Sequence, residues 1–350
     1  MSESKILFSM IVPVYNVKSY LETCINSMLI CRRDIRYEII LIDDGSTDGS
    51  GVICDQYADK YDFIQVLHQR NQGLSVAGNR GIELSTGKYL LFVDSDDCLV
   101  NKGLDRVADV LKRASEDIIF FRSYKWYSDH SMQMVDDDAH MREKQIGNRK
   151  ELLAALCSLN RYPAAAWGKA FRRDLIVENQ IFFEPGRISE DIFWSLQCFL
   201  SAHSISFRGI DFYLYRQNRS ASITGRTTPK RVEDLLHAIV CGVKLAKREE
   251  YSDARLEIYH LMAYEVEVAL LLYGELARKE QRSFAGKLKK LCGLLKYRDT
   301  KRTKMIRGLL RVFGLNGTAA VLKWGYGLRG RMRCLPAQLG CSNWRQRGAA

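Results

Sequence analysis

Polar residues, several of them acidic, follow two apolar runs of this sequence at the points where each run ends. Asp44 follows the first run, and Asp94, Ser95 and Asp96 follow the second. Carboxylates crowded at the end of a strand repel one another unless a cation lies among them. Oxygen ligands with no His or Cys beside them suit Mg²⁺ or Mn²⁺, held jointly by carboxylates and by phosphate oxygens. The Asp-x-Asp spacing therefore predicts a divalent metal site for a diphosphate, with turn formation and helix capping as the alternative role.

The alternation of extended and helical patterns indicates a scaffold that brings these residues to one edge. Short runs rich in β-branched and aromatic residues alternate with stretches of helical periodicity. Strand followed by helix predicts parallel strands with right-handed crossovers, and ligands then gather beyond the carboxyl ends of the strands. We predict an α/β fold with a mostly parallel sheet, helices on both faces and a helical C-terminal region. Strands are expected at 9–14, 38–42, 63–67, 89–93 and 117–121, and the intervening helices at 19–29, 51–60, 75–84 and 104–112.

The composition excludes several classes of protein. The chain has 350 residues, of which 47% are hydrophobic and 27% charged, enough apolar material for one large domain or two modest ones. The 10 Cys form no CxxC pair and the 6 His show no ligand spacing, so disulfides and zinc are not expected and the chain is assigned to a reducing cytoplasm. No run of about 18 uncharged apolar residues occurs, so the sequence predicts no membrane span.

The net charge is divided unevenly along the chain. Residues 275–350 hold 19 Lys and Arg against 3 acidic residues, so this segment carries +16 where the whole chain carries +12, and the first 274 residues carry −4. Basic residues beside apolar stripes at helical spacing suit an anionic membrane surface, whereas packing of both stripes on the body is the alternative. Few aromatic residues are available for base stacking, so no nucleic-acid partner is expected. The first stripe is Phe284, Leu288, Leu291 and Leu295, and the second is Met305, Ile306, Leu309, Leu310, Val312 and Phe313.

Five sequence blocks occur in an order that is typical of one family. They are SMIVPVYN, EIILIDDGSTDGS, QRNQGLSVAGNRGIELSTGKYLLFVDSDD, AWGKAFRRDLI and SEDIFW. Together they resemble the family 2 inverting glycosyltransferases of the GT-A fold, especially bacterial enzymes that build capsule, O-antigen or exopolysaccharide units. The resemblance covers about residues 5–225. We expect a GT-A domain over 1–225, with a nucleotide-sugar half at 1–122 and an acceptor half at 123–225, then a helical extension at 226–280, basic amphipathic helices at 281–325 and a disordered tail at 326–350.

The resemblance implies roles for residues on the donor side. Pro13 and Tyr15 are expected to contact the base and ribose, and Asp44 the uracil ring. Asp96 is the implied metal ligand, and Asp94 assists through the ribose or the metal. One departure is visible, because the family's GLSAARN block has Gly78 where Arg is usual, and Arg80 is the candidate for compensation. The implied nucleotide-sugar contacts are Pro13, Tyr15, Asp44, Asn79, Asp94, Ser95 and Asp96.

The resemblance also implies residues on the acceptor side. Inverting transfer needs a carboxylate that takes the hydroxyl proton, and Asp191 is the expected general base. Glu190 is expected to orient the acceptor or the base. The alternative role of this pair is to complement the dipole of a helix capped by Ser189. Trp167 and Lys169 match positions near the acceptor, with a place in the core as the alternative for Trp167.

The function expected from the sequence is metal-dependent transfer of a hexosyl or N-acetylhexosaminyl unit. The donor is a nucleotide-sugar, with UDP expected, and the acceptor is a lipid-linked saccharide at the inner face of the cytoplasmic membrane. The expected partners are therefore this donor, this acceptor and an anionic membrane surface, and the cofactor is Mg²⁺ or Mn²⁺. A catalytically impaired binding protein, to which Gly78 would point, and a sugar-phosphate nucleotidyltransferase are the alternatives.

Overall fold

Ten strands form a single sheet in the computed structural model of the chain. The structure describes residues 5–29, 34–128, 131–135, 144–146, 149–159, 161–217 and 227–333, with the backbone alone for 326–333. The strand order is β3-β2-β1-β4-β9-β6-β10-β5, with β7 beside β6 and β8 beside β10. The strands are β1 Phe8–Val14, β2 Tyr37–Asp43, β3 Ile64–His68, β4 Tyr89–Phe92, β5 Cys98–Leu99, β6 Ile118–Trp126, β7 Met132–Met134, β8 Lys144–Ile146, β9 Lys169–Arg172 and β10 Ile205–Arg216.

Helices cover both faces of this sheet, as the sequence predicts. Four of them follow the first strands as crossovers, and the C-terminal third of the described chain is almost entirely helical. Short 3₁₀ helices lie at Glu249–Ala254 and Cys292–Tyr297. The α-helices are α1 Lys18–Ser27, α2 Ser50–Lys60, α3 Leu74–Leu84, α4 Gly103–Arg113, α5 Arg149–Cys157, α6 Arg173–Glu178, α7 Asp191–Ser201, α8 Pro229–Ala246, α9 Arg255–Glu275, α10 Arg278–Leu291 and α11 Lys301–Arg333.

The sheet changes from parallel to mixed where its two halves meet. Strands β3, β2, β1 and β4 are parallel, whereas β9 lies between β4 and β6 and is antiparallel to both. Because β9 runs opposite to β4, its first residue Lys169 lies at the edge where β4 ends. The antiparallel strand thus carries an acceptor-side residue to the rim that holds Asp94.

Alternate residues of the strands enter two separate cores. Ile11 of β1 belongs to one core, and Met10 and Val12 belong to the other. This period of two is what a strand covered on both faces produces. The core that contains Ile11 also contains Leu270 of α9 and Leu322 of α11. The C-terminal helices therefore share a hydrophobic core with the sheet, and do not form a core of their own.

The two apolar stripes of the basic segment lie in different surroundings. Leu288 and Leu295 of the first stripe are fully buried in the body, so this stripe packs as its alternative interpretation predicts. The second stripe is divided, because Ile306 is buried while Val312 and Phe313 are exposed. Helix α11 continues to Arg333, beyond the start of the expected tail, and residues 334–350 lie outside the described chain.

Among the described helices, one has the length and apolar composition needed to cross a membrane. This stretch is Lys301–Gly325 of α11. In its most apolar part, 22% is buried inside the protein. Length and composition alone do not distinguish a spanning helix from one that lies on a surface. The helix also changes direction at Gly314, where the backbone has φ 62°.

Candidate active site

Three carboxylates meet at the carboxyl end of β4. Asp94, Asp96 and Asp97 each place an oxygen within 4.8 Å of the others. The chain turns sharply here, since the Asp97 N–H donates to the Asp94 carbonyl at 2.9 Å and Ser95 is buried inside the turn. An all-oxygen ligand set of this size fits a hard divalent cation such as Mg²⁺ or Mn²⁺. The residues present therefore fit the expected metal.

Strand β10 fixes this acidic loop from the side. The Tyr213 hydroxyl accepts a hydrogen bond from the Asp94 N–H at 3.0 Å and donates to Asp97 Oδ2 at 2.8 Å. Arg216 contributes its own N–H to Asp97 Oδ1 at 2.8 Å and its Nε to the Asp96 carbonyl at 2.6 Å. Both oxygens of Asp97 are thus held by β10, and Asp94 and Asp96 remain the two carboxylates expected to hold the metal. We call these contacts the β10 clamp.

Aromatic rings hold the β10 clamp in place. The Arg216 guanidinium lies 4.9 Å from the ring centre of Tyr20 and 4.3 Å from that of Trp126. Trp167 stacks on Tyr213 with ring centres 4.9 Å apart and an interplanar angle of 7°. Trp167 is partly buried, so it serves the packing of β10 while one part of the ring stays accessible. The core role of Trp167 and its predicted role beside the acceptor are compatible.

The ends of β1 and β2 lie at the same edge as the acidic loop. Pro13 is half-buried, and Tyr15 follows it with 47% of its surface exposed. Asp44 is buried and accepts from the Gln72 and Gly73 N–H groups, each at 2.8 Å. Asp44 therefore holds the loop before α3, while Asp48 accepts from the Ser50 N–H at the start of α2.

Asn79 and Gly78 connect the donor half to the acceptor half. The amide of Asn79 donates to the Phe183 carbonyl at 2.9 Å and accepts from the Phe183 N–H at 2.8 Å. A Cβ atom on Gly78 would lie 3.2 Å from the Phe183 ring, so this ring occupies the space into which a larger residue would extend. Arg80 pairs with Glu83 at 2.8 Å on the exposed side of α3 and does not replace the missing cation.

The acid pair lies at the start of α7, where the sequence places it. Burial and the neighbouring charge of Asp191 raise the pKa of Glu190 to about 8. Burial also raises the pKa of Asp191, while the positive charge of Lys169 opposes that rise. Lys169 is itself buried and donates to the Ala165 carbonyl. Burial thus favours the protonated form of Glu190, whereas Lys169 favours the ionised form of Asp191.

The metal cluster and the acid pair influence each other through their charges. The charge of Asp94 is one of the causes that raise the pKa of Glu190, which places the two acids within electrostatic reach of each other. Among the predicted donor residues, Asn79 has its side-chain amide engaged by the Phe183 backbone.

Several residues that shape the site do not emerge from the sequence. Asp97 directly follows the Asp-x-Asp motif, and this adjacency was a usable signal, whereas its partner Tyr213 is 116 residues away. Asp234 of α8 accepts from the Arg187 guanidinium and the Ile188 N–H, both at 2.9 Å, and so holds the segment that leads to Glu190. Burial opposes the ionisation of Asp234, but these hydrogen bonds and one from Lys230 lower its pKa.

Comparison with known proteins places this geometry in a family. Residues 9–175 match the family model described as Glycosyl transferase family 2. The chain is 32% identical over 282 residues to the uncharacterized glycosyltransferase YibD of Escherichia coli (strain K12), which covers 78% of this chain and 79% of that protein. It is 33% identical over 216 residues to the uncharacterized glycosyltransferase EpsJ of Bacillus subtilis (strain 168), which covers 61% of each chain.

A solved structure shares the fold across most of the chain. The crystal structure of S. aureus TarS 1–349 in complex with UDP-GlcNAc superposes with a TM-score of 0.69, covering 93% of this chain and 92% of that one at 18% identity. The GT-A fold expected from the sequence is thereby confirmed. The motifs, the sheet and the relatives agree, and the chain belongs to glycosyl transferase family 2 as a glycosyltransferase.

Proposed function

We propose that the protein transfers a sugar from a UDP-sugar, with inversion, to a hydroxyl group of a lipid-linked saccharide during synthesis of a surface polysaccharide. The observation that carries this proposal is the carboxylate cluster of Asp94, Asp96 and Asp97, together with the charge of Asp94 that acts on Glu190 of the acid pair. Inversion requires a leaving group on one side of the anomeric carbon and a base on the other. A UDP donor is supported by the TarS complex with UDP-GlcNAc, and Tyr15 offers an exposed ring for a base.

The donor is held by residues of the nucleotide-sugar half. Asp94 and Asp96 would hold the divalent ion, which when bound neutralises the charge that develops on the departing diphosphate. The β10 clamp keeps these two carboxylates in position through Tyr213 and Arg216. Since Gly78 replaces the family's usual Arg, we infer that metal-bound contacts supply a larger share of diphosphate binding here.

The acceptor hydroxyl is activated by the acid pair. Its oxygen attacks the anomeric carbon, the bond from that carbon to the diphosphate oxygen breaks with its electron pair, and the hydroxyl proton passes to Asp191. Lys169 supports this step because it favours ionised Asp191 before transfer. Glu190, whose pKa is raised by burial and by the charge of Asp191, donates a hydrogen bond to an acceptor oxygen in its protonated form and so orients the acceptor.

The test separates donor binding from transfer. Asp96→Ala should abolish the Mn²⁺-dependent thermal stabilisation by UDP-GlcNAc or by another member of a nucleotide-sugar panel. Asp191→Asn should keep that stabilisation and lose transfer. Asp59→Asn, an exposed acid on α2, serves as the matched control and should behave as the unaltered protein. Loss of donor binding in both site variants would contradict the proposed roles, and donor binding without transfer or hydrolysis in the unaltered protein would favour the impaired binding protein.

A further inference from the structure

A cleft lies between the C-terminal helices, on a part of the molecule that the proposed reaction does not use. Helices α9, α10 and α11 enclose about 940 Å³, with Tyr273, Asn316 and Trp324 among the lining residues. The Tyr273 hydroxyl donates to Asn316 Oδ1 at 2.7 Å, and Gln281 Nε2 donates to the Tyr273 carbonyl at 2.9 Å. These bonds join the three helices, so the cleft has fixed walls.

The cleft is positively charged. Arg278, Arg282 and Lys323 line it, and no carboxylate within the described part of the chain forms an ion pair with them. Glu280, the acid nearest in sequence, accepts instead from the Ala277 N–H at the start of α10. Three cations around one concave surface attract an anion such as a phosphate group.

The outward face of α11 adjoins this cleft and is apolar. Trp324 lines the cleft with 71% of its surface exposed, and Val312 and Phe313 are 73% and 57% exposed. The opposite face of the same helix packs on the body through Ile306 and Leu322. The helix therefore packs on the body with one side and leaves large apolar side chains exposed before and after its bend at Gly314, which in water is unfavourable unless a partner covers them.

We propose that this cleft and the outward face of α11 dock the protein on an anionic bilayer, with a phospholipid phosphate in the cleft. Charge complementarity decides the occupant, because an apolar helix face flanked by cations matches the interface of a membrane that contains anionic lipid. Trp324 suits this depth, since its ring is apolar and its N–H reaches water or headgroups. The buried first stripe, Phe284 to Leu295, supports α10 from beneath and does not contact lipid.

The inference deepens the proposed function, and its acceptor part rests on it. A lipid-linked saccharide would lie in the same bilayer as the docked face of α11, so docking would bring the enzyme to the membrane that holds its acceptor.

Vesicle binding of the full chain tests the inference without any turnover. The unaltered protein should sediment with vesicles of phosphatidylglycerol and phosphatidylcholine and not with phosphatidylcholine alone. Each of Arg278→Gln, Arg282→Gln and Lys323→Gln should weaken binding about fivefold, at about 1 kcal/mol per charge, and Trp324→Ser about tenfold. Lys60→Gln and Leu256→Ser, exposed residues of α2 and α9, are the matched controls and should bind as the unaltered protein does.

The contrary outcomes are distinct from failure of the proposed function. Equal binding to neutral vesicles, or equal loss in the control variants, would overturn the docking site. A second contrary outcome is that vesicles do not bind, whereas inorganic phosphate at matched ionic strength stabilises the unaltered protein and not Arg282→Gln. This outcome would assign the cleft to a soluble anion and overturn the proposed membrane docking. Thermal stabilisation by UDP-GlcNAc with Mn²⁺ is measured on the same variants and should equal that of the unaltered protein. If neither the unaltered protein nor any variant is stabilised, the result counts against the proposed function and not against the docking site.

Discussion

The hydroxyl of Tyr213 offers the sharpest test of how the metal loop is held. Tyr213→Phe removes one oxygen and leaves the ring, so the stack on Trp167 persists while two hydrogen bonds disappear. Tyr89→Phe is the matched control. Its ring is equally buried, its hydroxyl donates to the Glu116 carbonyl at 3.1 Å, and it does not touch the acidic loop.

The size of the effect follows from the groups left behind. The Asp94 N–H and Asp97 Oδ2 each lose a partner, and each such loss costs about 1–3 kcal/mol. Tyr213→Phe should therefore lower the free energy of unfolding by about 2–6 kcal/mol, and Tyr89→Phe, which leaves one carbonyl without this donor, by about 1–3 kcal/mol. In Tyr213→Phe the loop is also released near its ligands, so Mn²⁺-dependent UDP binding should weaken about 5- to 100-fold, since about 1.4 kcal/mol corresponds to a factor of ten.

Titration calorimetry measures the binding, and urea denaturation measures the stability. UDP is titrated with and without Mn²⁺ into the unaltered protein and both variants. The clamp predicts a loss of metal-dependent affinity in Tyr213→Phe with little change in Tyr89→Phe, although both variants lose stability. Equal affinities in the two variants would show that the hydroxyl contributes to folding only, and the positioning role of β10 would have to be abandoned.

Three further outcomes follow from the described residues. Asp191→Asn should lower the rate of transfer about 10²- to 10⁴-fold and leave the donor KM unchanged, in a steady-state assay with the identified donor. A fall in the donor KM together with the rate would refute the role of Asp191 as base. Glu265 of α9 has a pKa raised to about 8 by burial and by the charge of Asp191, so between pH 4.5 and 8 the folded chain keeps a proton that the unfolded chain loses. The free energy of unfolding should therefore fall by up to about 1.4 kcal/mol per pH unit as pH rises. In urea titrations at pH 5 and 8, Glu265→Gln should reduce this dependence on pH. An unchanged dependence would contradict the raised pKa of Glu265. Gly78→Arg should destabilise the protein by about 1–3 kcal/mol in thermal or urea unfolding, because the new Cβ atom meets the Phe183 ring. A variant that stays stable and binds UDP more tightly would show that the Phe183 ring does not explain why this chain has Gly at position 78.

The parts of the site that the sequence could predict are those that depend on nearby residues. The strand that ends before Asp94, the acidic motif itself and the start of α7 at Asp191 are encoded within a few residues each. Such features follow from periodicity, turn chemistry and motif spacing, and the structure places them as expected. The alternation of Met10, Ile11 and Val12 between two cores follows from strand geometry in the same way.

The parts that could not be predicted depend on pairs far apart in the chain. Tyr213 meets Asp97, and Phe183 meets Asn79 at a separation of 104 residues, so neither partner leaves a local pattern. The helical periodicity around Leu288 indicated an apolar face, but it did not indicate whether protein or lipid covers that face. Only the packing of α10 against α8 and α9 decides this.

The four residues of β9 limit how related enzymes could be recombined. This strand comes late in the chain, yet Phe171 pairs with Leu90 of β4 on one side and with Ile118 of β6 on the other. Its ring also contacts Phe92 and Trp194, with ring centres 6.1 Å and 4.9 Å apart. A chimera joined between residues 122 and 123 would insert a foreign strand into the middle of the host sheet. Exchange of sugar specificity between relatives therefore calls for grafts that carry β4, β9 and the first part of α7 as a single block.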